Sequence, residues 1–327
     1  MPPALIEVTH RKGIYLPEAD LWLDPHFGVK RAFISHAHSD HVARHDLTFC
    51  SATTHRLMVA RKSAKKAGQV ISPSLGEVIE WEGWELRLLP AGHIIGSTML
   101  HLTRKADGAT LLYTGDYKLR QGLSCAACEP LPADVLIMEC TFGLPRYRFP
   151  PLAEVQEGIR DFVTQTLAEG GVPVLQGYSL GKAQELLRAL HGLDVPVMVH
   201  PSVALMTEVV RDEIGELPPW RLFDALEARG HALVFPPGTK PAVPGCRFAM
   251  ASGWALDASA RYRYRVDALF PLSDHADHPE LRETIDLVKP RRVWLVHGFT
   301  REFATELRAA GIEAWSLERA DQLEFAW

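Results

Sequence analysis

The sequence predicts a mixed α/β protein of two domains, and three observations predict it. Short apolar runs broken by Gly, Pro and Asp fill the first 145 residues, which is the texture of β-strands. Between about 146 and 269, amphipathic helices alternate with strand-like runs, a βα pattern that marks a second domain. Near residue 270 the texture changes again, to helix, strand, helix, strand. A length of 327 residues, 47% of them apolar, accommodates two domains and a sizeable core.

The elements follow in order. "LWLD" (21–24), "RAFIS" (31–35), "ELRLLP" (85–90), "TMLHLT" (98–103), "TLLYTGD" (110–116) and "VLIMEC" (135–140) read as strands. "FPPLAEVQEGIRDFVTQTLAEGG" (149–171) is an amphipathic helix with prolines at its start and glycines at its end. "SLGKAQELLRALHG" (179–192) and "SVALMTEVVRDEIGEL" (202–217) are two more helices. They alternate with the strands "VPVLQG" (172–177), "VPVMVH" (195–200) and "RFAMAS" (247–252). The helix "PELRETIDLV" (279–288), the strand "RRVWLVHG" (291–298), the helix "REFATELRAAG" (301–311) and a last strand complete the chain.

Composition excludes several classes. No apolar stretch reaches the ~18 residues a membrane span needs, and the N-terminus has no apolar signal core, so a cytoplasmic protein is expected. Five scattered cysteines, an odd count, fit a reducing compartment. Cys125 and Cys128 form a single Cys-x-x-Cys with no second pair, read as two ordinary loop cysteines. The net charge of −5 is not that of a basic nucleic-acid-binding domain, so a polyanionic substrate requires local positive charge or bound metal.

Several predicted strands run straight into a residue capable of chemistry: His36, His93, Asp116, Glu139 and His297. In α/β proteins the loops at one sheet edge collect functional groups, so these five are expected to converge. The densest group is "HAHSDH", His36 to His41. Residues two apart on an extended segment point the same way, so His36 and His38 can share one ion, and Asp40 and His41 can face a second. Imidazole with carboxylate suits zinc, manganese or iron. His93, Asp116 and His297 supply the missing ligands, and Asp116 suits the bridge between two cations.

This pattern resembles the metallo-β-lactamase superfamily. His36, His38, Asp40 and His41 match its second motif, His93 the third and Asp116 the fourth; Asp24 matches the first, an aspartate that supports the metal loop. The resemblance implies an αββα sandwich with two divalent ions, zinc first, at one edge. The long insertion after "MECTFG" resembles the β-CASP nucleases, implying a domain of residues 1–145 plus 270–327 interrupted by an α/β β-CASP domain of residues 146–269. Glu139 matches motif A, His275 in "LSDHADH" motif B and His297 motif C. "GIYLPEADLWLDP", "TFGLPRYRFPP" and "SLGKAQELL" look like the bacterial ligase-associated, SNM1-like DNA exonucleases.

What the resemblance implies is in-line attack of a metal-bridged hydroxide on a phosphodiester. His36, His38 and His93 hold one ion, Asp40, His41 and His297 the other, and Asp116 bridges them. His275 is the candidate general acid, oriented by Glu139, and Asp40 completes the catalytic candidates. Ser179, Gly181, Lys182, Ser252 and Gly253 are the expected pocket for a terminal phosphate. Arg261, Arg263 and Arg265, alternating with two tyrosines, are expected to line one side of a strand and track a phosphate backbone. Arg61, Lys62, Lys65 and Lys66 read as a solvated helix face.

The expected substrate is DNA, single-stranded or with a free end, in a repair setting that implies a DNA ligase or helicase as partner. An RNA-processing ribonuclease is the alternative, because the SNM1-like branch usually carries valine where this chain has His297. The end soon after "LEFAW", without an extension of the kind RNase J carries, counts the other way. A non-catalytic scaffold is a third reading, disfavoured because no metal ligand is missing.

Overall fold

The structure is a computed structural model describing residues 2–61, 68–257 and 259–317. Lys62, Lys65 and Lys66 of the expected basic helix face lie outside the described residues. The chain divides into two compact units. One comprises 1–121, 126–148 and 275–327, and the other 122–125 and 149–274. The breaks at 148/149 and 274/275 fall a few residues beyond those read from the sequence. Among the described residues, no helix is long and apolar enough to cross a membrane.

The first unit begins with β1 (Thr9–His10), β2 (Ile14–Leu16), β3 (Leu21–Leu23), β4 (Arg31–Phe33), β5 (Leu47–Phe49), α1 (Ala52–Ala60) and β6 (Gln69–Ile71). It continues through β7 (Val78–Trp81), β8 (Trp84–Pro90), β9 (Thr98–Arg104), β10 (Thr110–Tyr113) and β11 (Val135–Cys140). The second unit carries α2 (Leu152–Ala168), β12 (Val172–Gln176), α3 (Lys182–Leu190), β13 (Val197–Val199), α4 (Pro201–Val209) and β14 (Trp220–Leu222). It ends with β15 (Ala232–Phe235), β16 (Cys246–Ala251), α5 (Ala260–Tyr264) and β17 (Ala268–Phe270). The chain then returns to the first unit with α6 (His278–Val288), β18 (Arg292–Gly298), α7 (Thr300–Ala309) and β19 (Ala314–Ser316).

The first unit is a two-sheet sandwich. One sheet has the order β1-β2-β3-β4-β5-β6, and the other β19-β18-β11-β10-β9-β8-β7. Their inner faces meet in a core where Leu21, Leu23, Phe33 and Phe49 pack on Leu86, Leu100, Leu111, Tyr113 and Val135. The outer face of the second sheet, with Leu112, Leu136, Met138 and Leu295, is covered by Leu281 and Ile285 of α6 and Phe303 and Leu307 of α7. Strand β11 is therefore buried on both faces, which is why its "VLIM" is a continuous apolar run rather than an alternating one. Each fully buried aliphatic side chain there contributes about 1.5–3 kcal/mol.

Topology brings the chemistry to one edge. β10, β11 and β18 are mutually parallel. β8 is two antiparallel steps from β10 and so runs the same way. Residues following β8, β10 and β18 thus emerge on one side with Glu139 at the end of β11. The loop after β4 is pinned to this edge by Thr98 N–H, which donates to the Ser35 carbonyl at 2.8 Å.

The second unit has a six-stranded sheet, order β14-β13-β15-β12-β16-β17, parallel throughout. Val155, Ile159 and Val163 of α2 and Leu186 and Leu187 of α3 cover one face, and Val174, Met198 and Phe235 pack on the other. One expectation is corrected here. Arg261 to Arg265 do not lie on a strand: 260–264 is α5, and Arg265 closes it in a left-handed conformation. Arg261, Tyr262 and Arg263 are all exposed, so no buried face exists for an alternating strand to serve. At helical spacing Arg261 and Arg265 share a face that Arg263 does not, and the single arginine row is lost.

Candidate metal centre

Ser35 sets the first group of ligands. Its hydroxyl donates to Asp24 Oδ2 at 2.5 Å and its amide to Asp24 Oδ1 at 2.7 Å. The hydroxyl has one proton, so its 2.9 Å contact with His36 Nδ1 must be accepted from the ring. His36 therefore carries its proton on Nδ1 and presents a lone pair at Nε2. Burial, and then the charges of His41, His93 and His38, hold His36 well below its ordinary pKa, so the lone pair stays available. His36 Nε2 lies 3.1 Å from His38 Nδ1, and His93 Nε2 lies 3.2 Å from that same atom.

Asp116 is the hub. Its Oδ2 is 3.6 Å from His36 Nε2, 3.7 Å from His93 Nε2 and 3.6 Å from His41 Nε2. It reaches this place through Gly115, at φ +54°, where an added Cβ would stand 2.5 Å from Ser35 Cβ. An ion with bonds of about 2.1 Å holds tetrahedral donors about 3.4 Å apart. The observed separations match that spacing, so the donors fit a cation. His36, His38, His93 and Asp116 form one cluster whose ligand atoms all lie within 4.8 Å of one another, and His41, Asp116 and His297 form a second. Asp116 belongs to both.

His41 Nδ1 stands 3.1 Å from Asp24 Oδ2, within ion-pair reach but without hydrogen-bond geometry. Tyr113 donates its hydroxyl to the same oxygen at 2.8 Å. Burial opposes charge on His41, but Asp116 and Asp24 outweigh it and push its pKa up to about 10. Such a site holds a cation of one kind or another, a proton or a metal ion.

His297 arrives by a different device. β11 and β18 pair Glu139 with Val296 but Cys140 with Gly298, so His297 is the extra residue of a bulge. It has φ +56°, unusual for a residue with a side chain. A bulge re-aims one side chain out of the strand alternation, and here it places the imidazole with His41 and Asp116.

Next to these candidate ligands lies a hydrogen-bonded carboxylate–imidazole pair, Glu139 and His275. Glu139, fully buried, has Oε1 2.7 Å from His275 Nδ1. The amides of Tyr117 and Thr141 also donate to its carboxylate, at 3.3 and 3.0 Å. Burial alone would raise the Glu139 pKa, but the His275 charge and hydrogen bond bring it below the ordinary value. Asp116, Glu139 and His275 again form a compact cluster.

Other expected site residues stand differently. Asp40 is at the rim, its side chain 79% exposed, with Oδ2 3.7 Å from His41 Nε2; among the described residues it joins none of the compact clusters. Ser179 lies in the segment between β12 and α3, and Ser252 and Gly253 directly follow β16, the strand beside β12. Ser179 Oγ meets Ser202 Oγ at 2.8 Å, and Ser252 Oγ accepts from Trp254 N–H. Lys182, an expected phosphate contact, begins α3. It is buried, its ammonium 2.6 Å from the Leu272 carbonyl and 2.7 Å from Asp274. The Gly181 amide is taken up by Gln184 at 2.7 Å. The charge and donor offered to a phosphate at this helix start are thus largely satisfied internally.

Sequence reasoning passed over Ser35, Tyr113 and Thr141. The first two had a usable signal, adjacency to His36 and to the "TGD" turn; Thr141 had none.

Comparison with known proteins agrees with this geometry. A profile described as RMMBL, "Zn-dependent metallo-hydrolase RNA specificity domain", matches residues 261–316. A "Probable DNA ligase" of Opitutus terrae is 47% identical over 323 residues, 97% of this chain and 32% of that protein. The "RNase J-like protein" of Methanocaldococcus jannaschii is 30% identical over 152 residues, 42% of this chain and 34% of that protein.

The chain belongs to the metallo-β-lactamase/β-CASP family. "Endoribonuclease YSH1" of Candida glabrata is a further relative, 31% identical over 115 residues, 35% of this chain and 14% of its own. The chain spans about a third or less of each of these relatives. A solved structure, "Crystal Structure of a Protein of Unknown Function from Enterococcus faecalis V583", shares the fold at TM-score 0.57 and 16% identity, covering 83% of this chain and 76% of that one. The matched profile is that of a zinc-dependent hydrolase, and the histidine and aspartate clusters are groups that could hold such ions.

Proposed function

We propose that the protein is a metal-dependent DNA nuclease, a 5′-phosphate-dependent exonuclease of DNA repair. The carrying observation is the extent of likeness. The relative matched across 97% of this chain bears the name of a DNA ligase, whereas the RNA-processing relatives match about a third to two fifths of it. A nuclease that trims ends is chemically apt beside a ligase, which makes a ligase, or a helicase that exposes single strands, the expected partner. Five scattered cysteines, an odd count, are in keeping with work in a reducing cytoplasm.

In this reading His36, His38, His93 and Asp116 hold one divalent ion and His41, Asp116 and His297 the other, with Asp40 at hand for the second. Two such ions supply Lewis acidity, lowering the pKa of water and polarising phosphate oxygens. The protein's own residues do the rest. Glu139 fixes the Nδ1–H tautomer of His275 and favours its charged form, which leaves Nε2 to give a proton to the leaving oxygen. Asp24, through Ser35, holds His36 in register. Ser179, Ser252 and Gly253 are the assigned contacts for a terminal phosphate, with Gly181 and Lys182, engaged by Gln184 and Asp274, setting their scaffold from within. Arg261, Arg263 and Arg265 are the assigned contacts for the strand's backbone in the second unit.

A second reading, an RNA-processing nuclease, draws on the name of the profile matched at 261–316 and on histidine at position 297. One experiment separates them. Metal-loaded protein is incubated with matched single-stranded DNA and RNA, labelled at either end, with or without a 5′ phosphate. Expected is stepwise loss from the phosphorylated 5′ end of DNA, lost in His275→Ala with its metal retained. Cleavage of RNA alone, or internal cleavage irrespective of the 5′ phosphate, overturns the reading.

A further inference from the structure

We propose that Arg146, braced by Tyr147 and Phe299 and flanked by Arg148, is the surface that grips the nucleic-acid strand beside the cleaved phosphodiester. The proposal rests on the nuclease reading above and adds a binding site to it.

The platform is built onto both catalytic loops. The Tyr147 carbonyl accepts from His278 N–H at 3.1 Å, three residues beyond His275. Phe299 lies two residues beyond His297, and its amide donates to the Cys140 carbonyl at 3.0 Å. Phe142 lies beside the first of these, its ring 5.0 Å from Tyr147 and 6.2 Å from His275. The rim between the proposed proton donor and the bulged metal ligand is therefore aromatic.

Arg146 is laid over that rim. Its guanidinium carbon is 4.7 Å from the Tyr147 ring centre and 5.6 Å from that of Phe299, and its Nη2 donates to the Tyr147 hydroxyl at 2.9 Å. Tyr147 and Phe299 are themselves stacked at 5.7 Å. The arginine is exposed yet held in place, so little side-chain entropy remains to be lost on binding.

Its charge is not spent on a carboxylate, as that of some other arginines is. Arg104 is neutralised by Glu18 and Asp107, and Arg292 by Glu313. Arg146 and Arg148 have no carboxylate within ion-pair distance among the described residues. One guanidinium donor of Arg146 serves Tyr147, which leaves the planar fork for a phosphate and its outer face for a base. In a chain of net charge −5, two unneutralised arginines beside a phosphodiester-cleaving centre are the local positive charge that a strand requires. Cover for Tyr147 alone would explain the stacking but not the second arginine or the missing carboxylates.

The test uses the metal-loaded full chain with Arg146→Ala, Arg146→Lys and Arg148→Ala. Binding of a fluorescent 5′-phosphorylated single-stranded 12-mer is followed by anisotropy at several salt concentrations. Hydrolysis of bis-p-nitrophenyl phosphate, a diester too small to reach the platform, is followed alongside. Expected for Arg146→Ala is a loss of about 10- to 100-fold in 12-mer affinity, with the salt slope lower by about 0.7, and unchanged hydrolysis of the small diester. Arg146→Lys recovers only part, because the planar fork is gone; Arg148→Ala gives a smaller loss in the same direction. Unchanged 12-mer binding in Arg146→Ala overturns the proposal, and so does an equal loss on both substrates, which would make the arginine a prop for the loops. A wild-type protein that hydrolyses the small diester but does not bind the 12-mer refutes the nuclease reading itself, a different failure.

Discussion

Replacing Gly298 by alanine isolates the bulge that carries His297. Gly298 has φ +81°, and an added Cβ would lie 2.4 Å from the Cys140 carbonyl oxygen and 2.4 Å from Thr141 Cα. Both are backbone atoms, so no rotamer relieves the clash. Restoring ordinary contact at about 3.5 Å requires a shift of about 1 Å. Metal–ligand distances tolerate about 0.2 Å. The shift falls on the residue next to His297, already held at φ +56°. Left-handed backbone at the new alanine costs a further ~1–2 kcal/mol. The expected outcome is loss of the ion held by His41, Asp116 and His297, with the His36–His38–His93 site kept. Metal content measured by plasma mass spectrometry should fall from about two ions per chain toward one, and turnover by about 100-fold. Gly311→Ala is the control: its φ is +82°, but an added Cβ meets nothing within 4 Å. It should lose only about 1 kcal/mol of stability and keep both ions. A Gly298→Ala protein that binds two ions with wild-type affinity refutes the bulge argument.

Two further outcomes are expected. Glu139→Gln keeps the shape of the pair but removes the charge that favours protonated His275, so activity falls about 10²–10⁴-fold with metal content unchanged, and the alkaline limb of the pH–rate profile moves to lower pH; an unmoved limb would show that Glu139 does not govern the proton donor. His45 is buried with neither ring nitrogen hydrogen-bonded among the described residues, and burial depresses its pKa to about 4. For a histidine depressed in the fold, the unfolded chain takes up the proton first, so stability is intact above about pH 6.5 and falls as pH drops toward 4, by about 2 kcal/mol at pH 5. His45→Phe should flatten that decline in urea melts at pH 7.5 and pH 5, and an acid slope equal to wild type would reject the assignment.

How much was legible from sequence depends on range. His36, His93, Asp116, Glu139 and His297 could be expected together because each follows or ends an apolar run, and parallel strands deliver such positions to one edge. His36 and His38 were legible from a two-residue spacing. What was not legible depends on contacts that spacing does not encode. Nothing in "RYRYR" distinguishes a strand from a short helix, and what decides it is that only Ala260 at one end is buried. Lys182 stands at a helix start, where a cation reads as a phosphate ligand. Its pairing with Asp274, ninety-two positions on, is a contact that spacing does not encode. The bulge was hidden for the same reason, because register between β11 and β18 joins residues more than 150 positions apart.

These differences in depth would make the two candidate metal positions unequal. His36 and His93 are buried, and His36 is locked by the Asp24–Ser35 chain, so the first position is rigid and loses little on closing around an ion. The second draws on His297, exposed and set on a strained bulge, and has Asp40 only at its rim. Only Asp116 and His41 anchor it from within. A ligand set with two exposed members loses more freedom on binding and opens to water, so an ion held there would be the weaker and the more readily exchanged. In the nuclease reading, His36, His38, His93 and Asp116 would thus hold the more firmly bound ion, and His41, Asp116 and His297 the more exchangeable one.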